Sequence, residues 1–278
     1  MRRGLIALLL IAGCQPTAAP PAAPVTVAPP PVPSAFSSLD AARITQVSLI
    51  NALMVGRYDG VITLGELMQS GNLGLGTCDH LDGEMVILDN EAFKITSTGE
   101  VIKLPPTETT PWAVITPFEG QARQELGPIG SLEELDARLD GLLADPDIFF
   151  AMRLEAEYDA LTVRSVARQT PPYRPLDEVA KSQKVWNYER VRGTLIGIRS
   201  PKWTTGLSVP GYHWHFISDD RTRGGHVLDC KFVGGKLAYD RCETWTIRLD
   251  PKHTMDGYDL SQDRSKALQE IESGRGKK

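Results

Sequence analysis

The chain has 278 residues, 41% of them hydrophobic and 23% charged, with a formal net charge of -5. That length fits one or two domains, and the composition is that of an ordinary globular protein. The acidic balance, with a sequence pI of about 5.6, argues against a nucleic-acid partner, which asks for a basic face, and no apolar run approaches the roughly 20 residues of a membrane-spanning helix.

Arg2 and Arg3, followed by an apolar run over residues 5–11, read as a targeting segment too short to span a bilayer. Ile11-Ala12-Gly13-Cys14 comes next. It resembles the lipobox of bacterial lipoproteins, where cleavage precedes the cysteine and the thiol carries diacylglycerol; an ordinary secretory signal with an incidental cysteine is the other reading. The lipobox makes residues 1–13 a signal peptide and Cys14 a lipid anchor. The protein is then an exported, membrane-anchored lipoprotein facing the periplasm or the cell surface. Acyl chains contribute about 0.8 kcal/mol per buried methylene, so several hold a protein firmly. Residues 15–34 include eight prolines among mostly Ala, Thr and Val. Such a tract favours extended polyproline II, packs no core, and reaches roughly 60 Å at about 3.1 Å per residue. Cys14 and the linker thus occupy residues 14–36, ahead of a mixed part over 37–147 and a strand-rich part over 148–278.

Residues 44–53 are apolar with a mixed period, so strand and helix both stay open. Thr63-Leu64-Gly65-Glu66 spells a capping box that opens a short helix through Met68. The glycine-rich stretch 71–76 reads as a closely packed loop, with no lysine after it to make a phosphate loop. Residues 85–88 form a strand candidate, Asp89-Asn90 a turn, and 92–96 with 101–104 a hairpin closed near Gly99. Ser131-Leu132-Glu133-Glu134 is a second capping box; Leu132, Leu135, Leu139, Leu142 and Leu143 follow at helical spacing, and Asp145-Pro146 ends that helix. Strands are expected over 149–154, 161–166, 191–198, 212–217, 226–232 and 244–249. A helix over 261–272 stops at Gly274. The expected class is α+β: a mixed β-sheet part with few helices, then a mostly antiparallel part with a helical tail. Cys230 and Cys242 flank Gly234-Gly235, a hairpin-like stretch. Their spacing allows a disulfide between neighbouring strands or two separate buried thiols, and neither has the CxxC spacing of a zinc or redox site.

The chemistry gathers in Gly211-Tyr212-His213-Trp214-His215-Phe216-Ile217 and Gly224-Gly225-His226. Alternate residues on a strand face one side, so His213 and His215 point together. If the chain reverses near Asp220-Arg221, His226 returns roughly opposite His215 on the neighbouring strand. Three imidazoles on one face suit a single zinc with coordination positions left open, the catalytic pattern. Imidazole also suits copper, nickel and iron. The bare pattern fits a zinc hydrolase with Glu84 as base, although no HExxH motif is present. It equally fits a non-catalytic metal-binding lipoprotein.

The histidine segment, with Val227-Leu228, resembles the corresponding motif of alpha-acetolactate decarboxylases. Further blocks match that family in order: Gln46-Val47-Ser48, Ile50-Asn51-Ala52-Leu53 and Gly56-Arg57-Tyr58-Asp59-Gly60; Gly74-Leu75-Gly76-Thr77 and Leu81-Asp82-Gly83-Glu84; and Val163-Arg164-Ser165 with Gln169 and Pro172-Tyr173. They run from about residue 44 to the tail. Trp214 and Cys78 depart from the pattern, where other apolar residues are expected.

The resemblance implies that His213, His215 and His226 are zinc ligands, that Glu84 and Arg164 are active-site residues, that Thr77 lies near the pocket, and that Glu272 is the C-terminal glutamate reaching the site. Taken alone, Glu84 reads as a turn carboxylate before a strand, Arg164 as a surface partner of Glu155 or Asp159, and Glu272 as a solvated helix residue. The implied reaction takes 2-acetolactate to acetoin and carbon dioxide. Zinc chelated by the substrate's hydroxyl and ketone oxygens would stabilise an enediolate, with no organic cofactor. Arg164 would hold a carboxylate or enediolate oxygen. Glu84 or Glu272, its pKa raised by burial, would supply the proton. The family also implies a homodimer and a preference for one enantiomer of acetoin.

Overall fold

A computed structural model describes residues 43–250 and 258–274. The signal segment, Cys14 and the proline linker lie outside these residues. The described residues belong to one compact unit.

Two large sheets face each other. One has seven strands in the order Thr244–Arg248, Arg43–Val47, Trp112–Thr116, Leu73–Thr77, Glu84–Leu88, Glu91–Ile95 and Val101–Lys103. Its pairings are antiparallel except Arg43–Val47 with Thr244–Arg248, which run parallel. The other sheet is antiparallel, in the order Phe149–Ser165, Lys184–Ser200, Gly211–Ser218, Gly224–Cys242 and Ala122–Leu126, with the first and fourth strands also paired. The α+β expectation holds, and the parallel pair makes the first sheet mixed.

Strand alternation sorts each sheet into two faces. Leu73, Leu75, Val86, Leu88 and Val114 of the first sheet share a core with Ile196, Ile198 and Ile217 of the second, and with Val166 just past its first strand. The outer face of the first sheet, with Met85, Ile87 and Ile115, packs on Leu64 and Leu67. These two belong to the short helix Leu64–Leu67, which is opened by a complete Thr63/Glu66 capping box. The outer face of the second sheet, with Leu154, Trp214 and Phe216, packs on Leu135 and Leu139 of the helix Leu132–Leu142. The result is four layers, with the polar residues of interest pointing into the middle.

Several local expectations change. Residues 44–53 divide into the strand Arg43–Val47 and the helix Ile50–Met54. The glycine-rich loop is instead the fully buried strand Leu73–Thr77. Its close packing is real: a Cβ on Gly74 or Gly76 would lie 2.4 or 2.5 Å from a carbonyl oxygen of the next strand. The strands at 149–154 and 161–166 are one strand, Phe149–Ser165, whose polar middle is bulged and largely exposed. Gly234-Gly235 makes no turn. It lies inside the 19-residue strand Gly224–Cys242, where a Cβ on Gly235 would crowd Leu154 at 2.9 Å. Cys230 and Cys242 therefore sit twelve positions apart on one strand, roughly 40 Å at full extension, and are free buried thiols rather than a disulfide. The second capping box is half formed: Ser131 Oγ accepts from the Glu134 N–H, but Glu134 Oε2 accepts from Gly130 N–H instead. The tail helix is shorter than expected, Ser265–Glu272, and Gly274 follows at φ 64°.

The helix Leu132–Leu142 also makes a polar contact with the sheet. Trp214 Nε1 donates to Asp136 Oδ1 at 3.1 Å. Burial, opposed by this hydrogen bond, raises the Asp136 pKa to about 7. The folded protein therefore holds a proton there that the unfolded chain releases near pH 4. The stability from this protonated carboxyl is complete below that pH and is lost as pH rises through about 7. Asp136→Asn is expected to raise the melting temperature at pH 8 more than at pH 5. Thermal unfolding at the two pH values checks it; an equal shift at both would show that Asp136 titrates normally.

Candidate active site

The strands Gly211–Ser218 and Gly224–Cys242 turn back on each other around Asp220. Ser218 Oγ accepts from the Thr222 and Arg223 N–H groups at 3.2 and 3.0 Å, and Asp220 Oδ1 accepts from Thr222 N–H at 3.0 Å. The register pairs His215 with His226 directly. Gly225 permits the close approach: its φ is 142°, and a Cβ would lie 2.7 Å from the Arg164 carbonyl oxygen. His213 shares the inner face by alternation. Trp214 takes the outer face, where Gly197 leaves space for its indole; a Cβ there would lie 2.2 Å from the ring.

The three imidazoles are buried, and they present ligand atoms within 4.8 Å of one another. His215 Nδ1 donates to the Met85 carbonyl at 2.8 Å, and His226 Nε2 donates to the Glu272 carbonyl at 3.0 Å. These bonds assign the tautomers and leave His215 Nε2 and His226 Nδ1 as lone-pair acceptors. His213 Nε2 lies 3.1 Å from His226 Nδ1. Two nitrogens bound to one tetrahedral zinc would be about 3.3 Å apart. Burial holds all three histidines neutral: His213 is pushed down to about 3, and His215 and His226 fall well below their usual value. Neutral imidazole is the ligand form, and His215 Nε2 has no hydrogen bond in the fold. The donor set therefore fits a divalent ion.

Beside the histidines lies a buried cluster of charge. Arg164 Nη1 donates to Glu84 Oε1 at 2.7 Å, and its Nη2 lies 3.7 Å from Glu272 Oε1. The other oxygens face the imidazoles: Glu84 Oε2 is 3.4 Å from His215 Nε2, and Glu272 Oε2 is 3.4 Å from His213 Nε2. Burial raises both glutamates to about 7 against the opposing pull of Arg164. Arg164 is not the surface partner of Glu155 or Asp159 that the isolated residue suggests; Arg153 pairs with Glu155 instead. Nor is Glu272 a solvated helix residue, since its side chain is 17% exposed. Thr77 Oγ1 donates to the Gly83 carbonyl at 2.7 Å, which anchors the turn leading into Glu84.

All seven residues singled out from sequence thus meet around one place. Six of them line a chamber of about 40 Å³, with apolar walls from both sheets and from Ile271 of the tail helix; His226 stands behind His213. Trp112 also lines the chamber, its ring stacked on His213 at 5.7 Å between centroids. Nothing in the sequence reading marked it, because a tryptophan in an apolar strand reads as core. A larger cleft of about 980 Å³ opens between the helices Leu132–Leu142 and Ser265–Glu272. It contains none of the three histidines, but Glu272 and Val209 border both spaces. Asp59, Asp79 and His80 form a second, more exposed group of candidate metal ligands; there His80 is engaged by Tyr173 and Asp79.

A family model of alpha-acetolactate decarboxylases matches residues 44–262. The alpha-acetolactate decarboxylase of Brevibacillus brevis is 35% identical over 277 residues, covering 98% of this chain and 97% of that one. That of Methanosarcina mazei is 37% identical over 227 residues, covering 82% and 79%. The crystal structure of alpha-acetolactate decarboxylase from Bacillus subtilis strain 168 superposes with a TM-score of 0.80 at 29% identity, over 83% of this chain and 99% of that one.

Removing one member of a buried charge pair leaves the other uncompensated, at a cost of roughly 3–5 kcal/mol. In chelator-treated protein, Arg164→Met is expected to lower unfolding stability by about 3 kcal/mol. Adding Glu84→Gln should recover a substantial part of that loss. Urea unfolding of the single and double variants checks both; strictly additive losses would mean the pair is not coupled.

Proposed function

The chain belongs to the alpha-acetolactate decarboxylase family, and we propose that it converts 2-acetolactate to acetoin and carbon dioxide with zinc held by His213, His215 and His226. Family membership supports the reaction. The observation that carries the site is the convergence of three buried, neutral imidazoles beside one arginine and two protonatable carboxyls. Three nitrogen donors so placed suit zinc, as they suit copper, nickel or iron, and the family resemblance is what favours zinc among them. Bound there, zinc supplies a Lewis acid that stabilises negative charge developing on the substrate's oxygens.

The protein's own groups account for the remaining tasks. Arg164 is a permanent cation whose Nε makes no hydrogen bond in the fold. It has donors to spare for an anionic substrate oxygen, while Nη1 keeps Glu84 in place. Loss of carbon dioxide from the acetolactate anion leaves a carbanion equivalent that needs one proton to become acetoin. A carboxyl group with a pKa of about 7 holds that proton at neutral pH and can release it, and both Glu84 and Glu272 meet that condition. The apolar walls from Leu53, Leu81, Val166 and Ile271 keep bulk water from the reacting carbon. Thr77 acts indirectly, by fixing the turn before Glu84.

We also propose that the mature protein is anchored by a lipid on Cys14 and faces the periplasm or the cell surface, on the strength of the charged, apolar and small residues before that cysteine. The family resemblance further implies a homodimer.

Purified protein is expected to form acetoin from racemic acetolactate, to lose the activity to a chelator, and to regain it on addition of zinc. No acetoin from folded, zinc-loaded protein would overturn the assignment. Cys14→Ser is expected to abolish incorporation of labelled palmitate and to shift the protein from the membrane fraction to the soluble fraction. Unchanged fractionation and labelling would remove the anchor.

A further inference from the structure

We propose that the indole N–H of Trp112 is a substrate contact, donating a hydrogen bond to an oxygen of the ligand bound in the chamber. Trp112 is 2% exposed, and its Nε1 has no hydrogen-bond partner. A buried donor without a partner is costly, and native folds satisfy nearly all such groups with protein, water or ligand. Its position shows which partner this one awaits. In the register of the first sheet, Trp112 pairs with Thr77, and Thr77 pairs with Glu84. Directly paired residues share a face, so Trp112, Thr77 and Glu84 form a row along the inner wall. The indole stacks on His213 with a 27° angle between ring planes, and it borders the same chamber as Arg164 and Glu272.

Trp112 is not alone there in lacking a partner. Arg164 Nε, His213 Nδ1, His215 Nε2 and Glu272 Oε2 are also buried without hydrogen bonds. Unused capacity is thus concentrated where a small polar molecule would sit. Two indoles elsewhere do have partners: Trp214 Nε1 donates to Asp136, and Trp203 Nε1 donates to the Asp147 carbonyl. Trp245 Nε1 is also without a partner, but it packs among Phe149 and Trp203, outside the chamber lining.

The indole N–H can only donate. It neither takes nor delivers a proton during turnover, so its role is to hold an acceptor: a carboxylate, hydroxyl or ketone oxygen. The inference rests on the reading that acetolactate, which carries all three groups, binds in this chamber. An N–H of fixed direction favours ligands with an oxygen at that point and gives nothing to those without one.

The test is Trp112→Phe in the zinc-loaded holoenzyme, with Trp245→Phe as a matched control that removes an unpartnered indole outside the chamber. Trp112→Phe is expected to lower kcat/KM for acetolactate by about 10-fold, with zinc content and melting temperature close to wild type. Trp245→Phe is expected to leave kcat/KM within twofold. A variant with 3-benzothienylalanine at position 112 keeps the ring shape and replaces the N–H with sulfur; it should show the same loss as phenylalanine. Wild-type kcat/KM in Trp112→Phe, or full activity in the benzothienyl variant, would overturn the proposal. Absence of acetoin from the wild-type protein would overturn the decarboxylase reading itself and this contact with it.

Discussion

One buried cation organises the centre of this protein. Arg164 carries a permanent charge into the space between two sheets, where desolvation makes any uncompensated charge costly. Glu84 and Glu272 answer it from either side in the sequence. The same guanidinium opposes protonation of His213, His215 and His226 and partly offsets the rise in the two glutamate pKa values. A single side chain thereby biases five titratable neighbours. Burial is the larger cause of the neutral imidazoles and of the raised carboxyls; Arg164 adds to the first effect and tempers the second.

The two sheets make that position available. Alternation along the strand Gly211–Ser218 sends His213 and His215 inward and Trp214 and Phe216 outward. The outward residues pack on the helix Leu132–Leu142, and Trp214 also donates to its Asp136. Gly197 supplies the space for Trp214. Site and scaffold are two faces of one strand, and a change behind it is felt in front.

Much of this could be read from the chain before any coordinates. The HxH spacing and the polar turn are enough to set three histidines on one face, and the family resemblance of the blocks around Glu84 and Arg164 adds their carboxylate and guanidinium to the same place. Glu272 was reachable only through the resemblance, since a tail helix gives no local sign of where it docks. The failures have physical causes. Gly74 and Gly76 look like a loop because glycine permits turns, yet here the missing side chains let buried backbones approach. Gly234-Gly235 looks like a hairpin for the same reason and proves to be mid-strand, which carries the expected Cys230–Cys242 neighbours apart. The polar stretch within Phe149–Ser165 looks like a break because its bulges expose it to water. Trp112 escaped notice because an apolar residue in a strand carries no mark of an unpaired N–H.

The chamber is closed by a part of the chain that belongs to neither sheet. Every strand of both sheets lies before residue 249, and with them come the three histidines, Arg164 and Glu84. The helix that brings Glu272 and Ile271 over the chamber begins at Ser265, beyond the last strand. The walls of the site and its roof thus come from separate stretches of chain, so a truncation before residue 265 would remove Glu272 and Ile271 while leaving every strand of both sheets, the three histidines, Arg164 and Glu84 in the sequence.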